Sequence, residues 1–520
     1  MRFLLTVLIL FLSLTSTLHS QTLLLNKEFG LGSPYSEPDG RNDIVRISDT
    51  DFITLAKVKG NQTGKSEFSL ERYNNELNSI WKVNLNVEAY EDYKDLYYNG
   101  KELVLLSVIH NESEKKTRME AYGFDILNGS RIWNKELEAY EVGEWEMHPH
   151  KGKVKETFLD VVCEHANHNF VTPFEYKHNV HFSPDNKKFV SYVFNYGEKN
   201  LSASISVYDN HCNLLSRGKV GIDNDFINNG IYVDNQGLIY LINVNNFGKV
   251  NFIRYSLETK DFDIIEFPGS NHQKDDFHVS FQDDGIYIAN LELSQDKFTG
   301  VKYTKCNFTQ KSIDMIVYEE LTDEMKNTIA KERKKNKNLK GEENWMDYDL
   351  THFIVNSDKS VMMALEKRDL YADGYPHIKK EAFDKSHNVE ILGHVQAEGI
   401  ILYSFNKDGD KEWSSYLAKN QVYPANDGLN TISFVLDNSP KDHIRILYAT
   451  TEGMDVAPHS INMVSFDRKS GKILKNIVLP NQDKLVLVKD YTLFLDESNI
   501  VLVGKKGLLG KSSSIAKFKL

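Results

Sequence analysis

The chain has 520 residues and a formal net charge of −12, with 26% charged and 41% hydrophobic side chains. At about 150 residues per domain, that length means three or four domains or one large repeat architecture. A mean hydropathy of −0.45 excludes a multi-span membrane protein, and the acidic balance excludes nucleic acid as a default partner. The 28 Phe, 26 Tyr and 5 Trp exclude disorder as the main state and favour β-structure.

Residues 1–20 read as a secretory signal peptide. Arg2 supplies the positive start, and residues 3–14 are apolar apart from Thr6 and Ser13. Cleavage is expected between Ser20 and Gln21, although Leu18 is an imperfect residue at the third position back. The apolar run is shorter than the roughly 20 residues needed to span a bilayer, and no later segment spans one. No Cys lies nearby to carry a lipid. The expectation is an exported protein, periplasmic, cell-surface or secreted, with no transmembrane segment in the mature chain. The three cysteines, Cys163, Cys212 and Cys306, allow at most one bridge and leave a thiol over. Cys163 with Cys212 is one such pairing.

From residue 43 onward one hairpin recurs. It occupies 43–59, 95–110, 178–195, 228–243, 277–291, 349–366, 430–449 and 491–504. Each copy alternates apolar and polar residues, turns on Asp, Asn, Gly or Ser, and resumes alternation. In 277–291 the expected turn pair is Asp284-Gly285. A second hairpin follows at 68–85, 119–137, 205–222, 252–267, 301–318, 401–417 and 461–479. Its first strand ends in an aromatic such as Tyr208, Phe405 or Phe466.

Two hairpins make one four-stranded antiparallel sheet, the unit of a β-propeller blade. Only half of the eighth second hairpin is present, at 514–520, and the N-terminal run 22–29 is the expected missing strand. Residues 21–520 therefore predict one all-β domain: a β-propeller of eight four-stranded blades, or seven, closed by pairing of the N- and C-terminal strands. A β-sandwich array would not explain the alternation of two hairpin types. Eight blades would average about 62 residues against the usual 40–50 or so, so the excess sits in insertions. These are 139–177 after blade two, 319–348 after blade five and 371–399 inside blade six.

The segment 122–133, YGFDILNGSRIW, resembles the quinoprotein-type propeller repeat through Asp125, Gly129 and Trp133. Asp467 and Gly471 fit the same pattern with Lys475 in place of Trp, and Asp408, Gly409 and Trp413 give a shortened version. FSPDNKKF at 182–189 resembles the turn of WD40-like blades. The stretch 319–420 resembles uncharacterised exported bacterial β-propeller proteins, with a charged helical insert, FIVNSDKSVMMALE at 353–366 and FNKDGDKEW at 405–413. The resemblance implies the fold and an envelope or extracellular setting. It implies turn formers and an aromatic packed between blades, and no activity.

His148, His150, Cys163, His165 and His168 place five borderline or soft ligands in the first insertion. No pair has finger spacing, and the preferred reading is a polar loop without metal. Asn406, Asp408, Asp410 and Glu412 alternate as calcium ligands do, but Lys411 stands where a calcium loop needs Gly, so a solvated turn is preferred. Asp223, Asn224 and Asp225 read the same way. In the second insertion Thr322 is a predicted N-cap, with Asp323 and Glu324 in the first helical turn. Leu321, Met325 and Ile329 share a face, and Lys331, Arg333, Lys334, Lys335, Lys337 and Lys340 make a basic end. That helix is either a solvated arm or a docking element whose apolar residues bind the propeller or a partner. Trp345, Tyr371 and Tyr375 are candidate binding aromatics for a sugar or peptide, or else cover the rim.

No catalytic residue is nominated. The chain lacks a Gly-x-Ser-x-Gly elbow, a zincin helix and a phosphate-binding loop, and it lacks the vicinal Cys pair typical of quinoprotein dehydrogenases. The expected function is a monomeric scaffold, without a cofactor, that binds a protein or glycan partner. The alternative is a hydrolase or lyase acting on a carbohydrate or peptide at the central funnel. It would use carboxylates from separate blades, such as Asp283, Asp284 and Glu366.

Overall fold

Period-two alternation decides which neighbour each strand residue meets. In the strand Val361–Ala372, Val361, Met363 and Leu365 face one adjoining sheet, and Met362 and Ala364 face the other. All five are buried, so the strand reads as a continuous apolar run. The computed structural model describes residues 22–29, 44–60, 66–86, 91–111, 116–141, 178–196, 201–222, 226–245, 249–267, 277–295, 297–335, 345, 348–372, 393–424, 434–451, 458–479, 485–506 and 513–519.

These residues form eight four-stranded antiparallel sheets, each ordered first to fourth strand in chain sequence. They are the blades of an eight-bladed β-propeller, and every predicted hairpin corresponds to a strand pair. The eighth blade takes Leu485–Phe494, Asn499–Lys506 and Ser513–Lys519 from the C-terminus and Thr22–Phe29 from the N-terminus. Thr22–Phe29 pairs antiparallel with Ser513–Lys519, running from Thr22 opposite Lys519 to Phe29 opposite Ser513. The predicted N-to-C closure is present, and the blade count is eight rather than seven.

Eight hydrophobic clusters hold the ring, one at each junction between neighbouring blades. The junction of blades eight and one joins Val501 and Ile515 to Phe52 and Tyr73. The aromatics that end the third strands, Tyr208, Phe405 and Phe466, are buried in these junctions.

Turn chemistry links adjacent blades. Asp125 Oδ1 accepts the Leu127 amide at 2.8 Å, and the Gly129 amide bonds back to Asp125 O at 2.8 Å. Trp81 of blade one then donates Nε1–H to Ile126 O at 2.8 Å. The same bonds recur where Trp413 of blade six meets Arg468 O, at 2.9 Å, beside Gly471. Both glycines have positive φ, 73° at Gly129 and 64° at Gly471. The aromatic of one blade therefore caps the Gly turn of the next, as the repeat resemblance implied.

One turn differs from expectation. Gln282 pairs with Gly285, so the turn residues are Asp283 and Asp284 rather than Asp284-Gly285. Gly285 is needed because a Cβ there would lie 2.9 Å from Cys306 O in the third strand.

The insertion helix is Asp323–Lys335. Thr322 Oγ1 accepts the Met325 amide at 3.3 Å, as predicted for the N-cap. Leu321, Met325 and Ile329 are buried in the junction of blades five and six, so the apolar face docks on the propeller itself. No helix among the described residues is long and apolar enough to cross a membrane.

Gly129→Ala tests the turn. A Cβ would sit 2.6 Å from Trp81 Cε3 and 2.8 Å from Val83 Cγ2, on a backbone that L side chains rarely adopt. The expected loss is more than about 1 kcal/mol in urea unfolding. In a Trp81→Ala background the cost should shrink, because only the Val83 contact and the backbone part remain.

Candidate functional site

Strand direction sorts the connections onto two faces. Turns from first to second and from third to fourth strand open on one face. Connections from second to third and from fourth to the next first strand open on the other. The tight-turn face satisfies its polar groups internally. Asn74 Oδ1 accepts the amides of Glu76 and Asn78 at 3.0 and 2.9 Å. Asp234 Oδ1 accepts those of Gln236 and Leu238, both at 2.9 Å. All three insertions leave from the opposite face. The first follows Arg131–Glu141, the second follows Ser312–Glu320, and the third separates Val361–Ala372 from Gly393–Phe405.

Two buried polar centres lie beneath that insertion face. The first joins blades two and three. Glu138, on the outer strand Arg131–Glu141, is 3% exposed, and His178, just before the inner strand Asn179–Phe182, is 1% exposed. Several donors meet the Glu138 carboxylate. They include His178 Nδ1 at 3.0 Å, Tyr140 Oη at 3.1 Å, Ser191 Oγ and, at 3.4 Å, Tyr208 Oη, which also donates to Leu137 O at 3.0 Å. Arg217 closes the rear, bonding Leu137 O at 2.8 Å and Ser206 Oγ at 3.0 Å.

Burial pushes the Glu138 carboxyl up, but hydrogen bonds and charge from His178, with hydrogen bonds from Ser191 and Ser206, hold it at about 2. An ionised carboxylate only accepts, so His178 carries a proton on Nδ1. Its Nε2 is buried and makes no hydrogen bond among the described residues. The ring lies 5.5 Å from that of Tyr140.

The second centre anchors the other two insertions. Glu366 is fully buried and pairs with Lys419 and, at 2.7 Å, with Arg368 Nε. Glu398 pairs with Arg333 of the helix and, at 3.6 Å, with Lys367. Burial raises the Glu366 carboxyl, while Lys419 and Arg368 bring it down to about 2. Burial pushes the Lys419 ammonium down, and Glu366 opposes that push. Arg333, which the sequence placed in a basic solvated end, is 5% exposed because Glu398 draws it inward.

The remaining sequence candidates fall as follows. His148, His150, Cys163, His165 and His168 lie outside the described residues, as do Tyr375 and the 223–225 cluster. Trp345 is half-buried against the junction of blades five and six, and its carbonyl accepts the Phe298 amide at 2.7 Å. Tyr371 lies opposite His394 in the blade-six sheet, and its side chain is outside the described set. Asn406 Oδ1 accepts the amides of Asp408 and Asp410, both at 2.9 Å, while Glu412 bonds Ser404, so this run is a turn. Asp283 pairs with Lys359, and Asp284 with Lys305 at 2.6 Å, on the tight-turn face, away from Glu366. No group of three or more His, Cys, Asp or Glu able to hold a metal occurs among the described residues. Cys212 and Cys306 are free and buried, which pushes their thiols up to about 11 and 12. Cys212 approaches Tyr97 Oη at 3.4 Å and is not bridged to Cys163.

The Glu138–His178 pair has no local sequence signal, but repeat register supplies one. The head of the inner strand is a buried Tyr93, Phe277, Leu350, Phe434 or Leu487 in other blades, and His178 in blade three.

No protein-family model matches the chain, and no curated protein matches it. Among solved structures it is similar to BamB from Moraxella catarrhalis, with 10% identity, a TM-score of 0.31, and coverage of 96% of this chain and 100% of that one. The WD40 domain of SCAP from fission yeast is similar at 9% identity and a TM-score of 0.39, covering 95% of this chain and 98% of that one. The periplasmic gluconolactonase of Pseudomonas aeruginosa is similar at 10% identity and a TM-score of 0.34, covering 75% and 89%. The propeller assignment rests on this chain's own sheet order.

The Glu366 carboxyl, at about 2 against an ordinary 4.5, makes stability pH-dependent. A lowered pKa stabilises the fold fully above the unfolded value, and that contribution is lost as pH falls from 4.5 towards 2. The loss is about 3 kcal/mol. Urea unfolding between pH 7 and pH 3 should show a shallower acid decline in Glu366→Gln than in the parent chain.

Proposed function

We propose that this chain is an exported binding scaffold whose recognition surface is the insertion face of the propeller. The observation that carries this reading is the segregation of all three insertions to one face, while the opposite face is made of short, internally bonded turns. Loops held on a rigid frame are where specific recognition concentrates. The helix Asp323–Lys335 supports the reading, because its buried residues and the Arg333–Glu398 pair hold its exposed side in a fixed position. The leader-like residues 1–20 support export. A protein or glycan is the partner class that such a surface suits.

A photo-crosslinking residue placed at Lys331, exposed on the helix, or at Leu127, 74% exposed on the tight-turn face, tests the assignment. In the native cell envelope, mass spectrometry should find partner adducts from position 331 and not from 127. Adducts from 127 alone, or from neither position, would refute it.

A further inference from the structure

We propose that the outer strand of blade seven, Ile473–Leu479, is an edge that captures an extended acidic segment of a partner protein by strand addition. The edge lies on the rim of the ring, and the proposal does not depend on the insertion-face reading. Its first support is the state of the strand. Ile473–Leu479 is last in its sheet, and among the described residues no strand pairs with its outer side. Its inner pairing is unbroken from Lys475, opposite Ser465, to Leu479, opposite Ile461. The turn before it is pinned by Trp413, which bonds Arg468 O at 2.9 Å, and by Ser415 Oγ, which donates to Gly471 O at 2.6 Å. The far end is held by the buried Leu479. A row of outward backbone N–H and C=O groups is therefore preorganised, and another strand is the group that satisfies such a row.

The second support is the apolar surface beside that edge. Ile473, Leu474 and Val478 are 52%, 58% and 59% exposed. No other outer strand among the described residues leaves three large aliphatic side chains open. A strand added to this edge would lay its own side chains against them.

The third support is charge, which selects the occupant. Lys475 is the only charged residue of the strand, and Lys472 stands just before it. Both are exposed, and neither side chain makes an ion pair or hydrogen bond among the described residues. On three other outer strands the cations are answered: Lys82 by Glu71 at 3.4 Å, Lys411 by Glu319, and Arg217 by Leu137 O at 2.8 Å. The outer strands of blades four and five carry acids of their own, Asp263 and Glu266 in one and Asp314, Glu319 and Glu320 in the other. A second copy of this chain would bring the same lysines to the edge, and like charges oppose that pairing. A strand alternating apolar and acidic residues brings the complementary charge.

The test uses the full-length protein and two labelled synthetic peptides of the strand's own length, one alternating Val and Glu and one alternating Val and Lys. Fluorescence anisotropy at low salt should show binding of the Val/Glu peptide and none of the Val/Lys peptide. Hydrogen exchange should slow at the amides of 473–479 when the Val/Glu peptide is bound, and not at those of 262–267. Lys472→Glu combined with Lys475→Glu should weaken the Val/Glu peptide about tenfold and admit the Val/Lys peptide. Both positions are exposed, so the Tm should stay close to the parent's. No binding of the Val/Glu peptide, equal binding of both peptides, or binding without slowed exchange at 473–479 would overturn the proposal. So would dimerisation of the parent through this strand in analytical ultracentrifugation, since the occupant would then be a second copy.

Discussion

Every hydrophobic cluster among the described residues is a junction between two blades. A single four-stranded sheet has two apolar faces and covers neither by itself. Each second strand, such as Val361–Ala372, splits its side chains between the sheet before and the sheet after. Among the described residues no blade has a private core, so the chain reaches a stable state only when the series of sheets closes on itself. That requirement explains the most distant pairing in the sequence. Ser513–Lys519 would be an unpaired edge, and Val501 and Ile515 would lack the fixed neighbour Phe52, unless the two ends of the chain met in one blade.

The same constraint divides the molecule into a face that is spent and a face that is free to vary. On the spent face the hairpin turns are short. They consume their own polar groups in Asx-type bonds such as those of Asn74 and Asp234. They are also part of the blade-to-blade contact, since Trp81 and Trp413 each bond a turn carbonyl of the next blade. A longer turn there would displace the tryptophan. At the other face a connection can lengthen without disturbing either strand it joins. The insertion of the helix Asp323–Lys335 shows this: its apolar residues extend the junction of blades five and six.

Features that depend on near neighbours were legible in the sequence. Alternation and turn chemistry operate within a few residues, so the hairpins and the Thr322 cap could be read directly, and the blade count was narrowed to eight or seven. The Asp284-Gly285 turn was misplaced by one residue because Gly285 answers to the Cys306 carbonyl in another strand, a demand no dipeptide pattern reveals. Charge pairing across a junction was hidden for the same reason. Arg333 and Glu398 are 65 positions apart, and Glu138 and His178 are 40 apart. Composition marks Arg333 as one cation in a basic run, whereas a buried carboxylate opposite it reverses that reading.

A repeat architecture nevertheless offers a way to read such positions, because each blade serves as a control for the others. Five inner-strand heads are apolar or aromatic, blade four has Asn228 at the equivalent register position, and blade three has a buried histidine, so the position departs from the apolar pattern in that blade. The stability of the ring is shared among eight junctions, so one junction can carry a polar group that would be costly in a protein with a single core. The position of that exception matters as much as its identity. Had the histidine stood at a hairpin turn, backbone groups would have answered it. It stands where a long connection enters the sheet, directly after the segment richest in histidine, so the departure from the repeat and the departure from ordinary blade length fall at the same point in the ring.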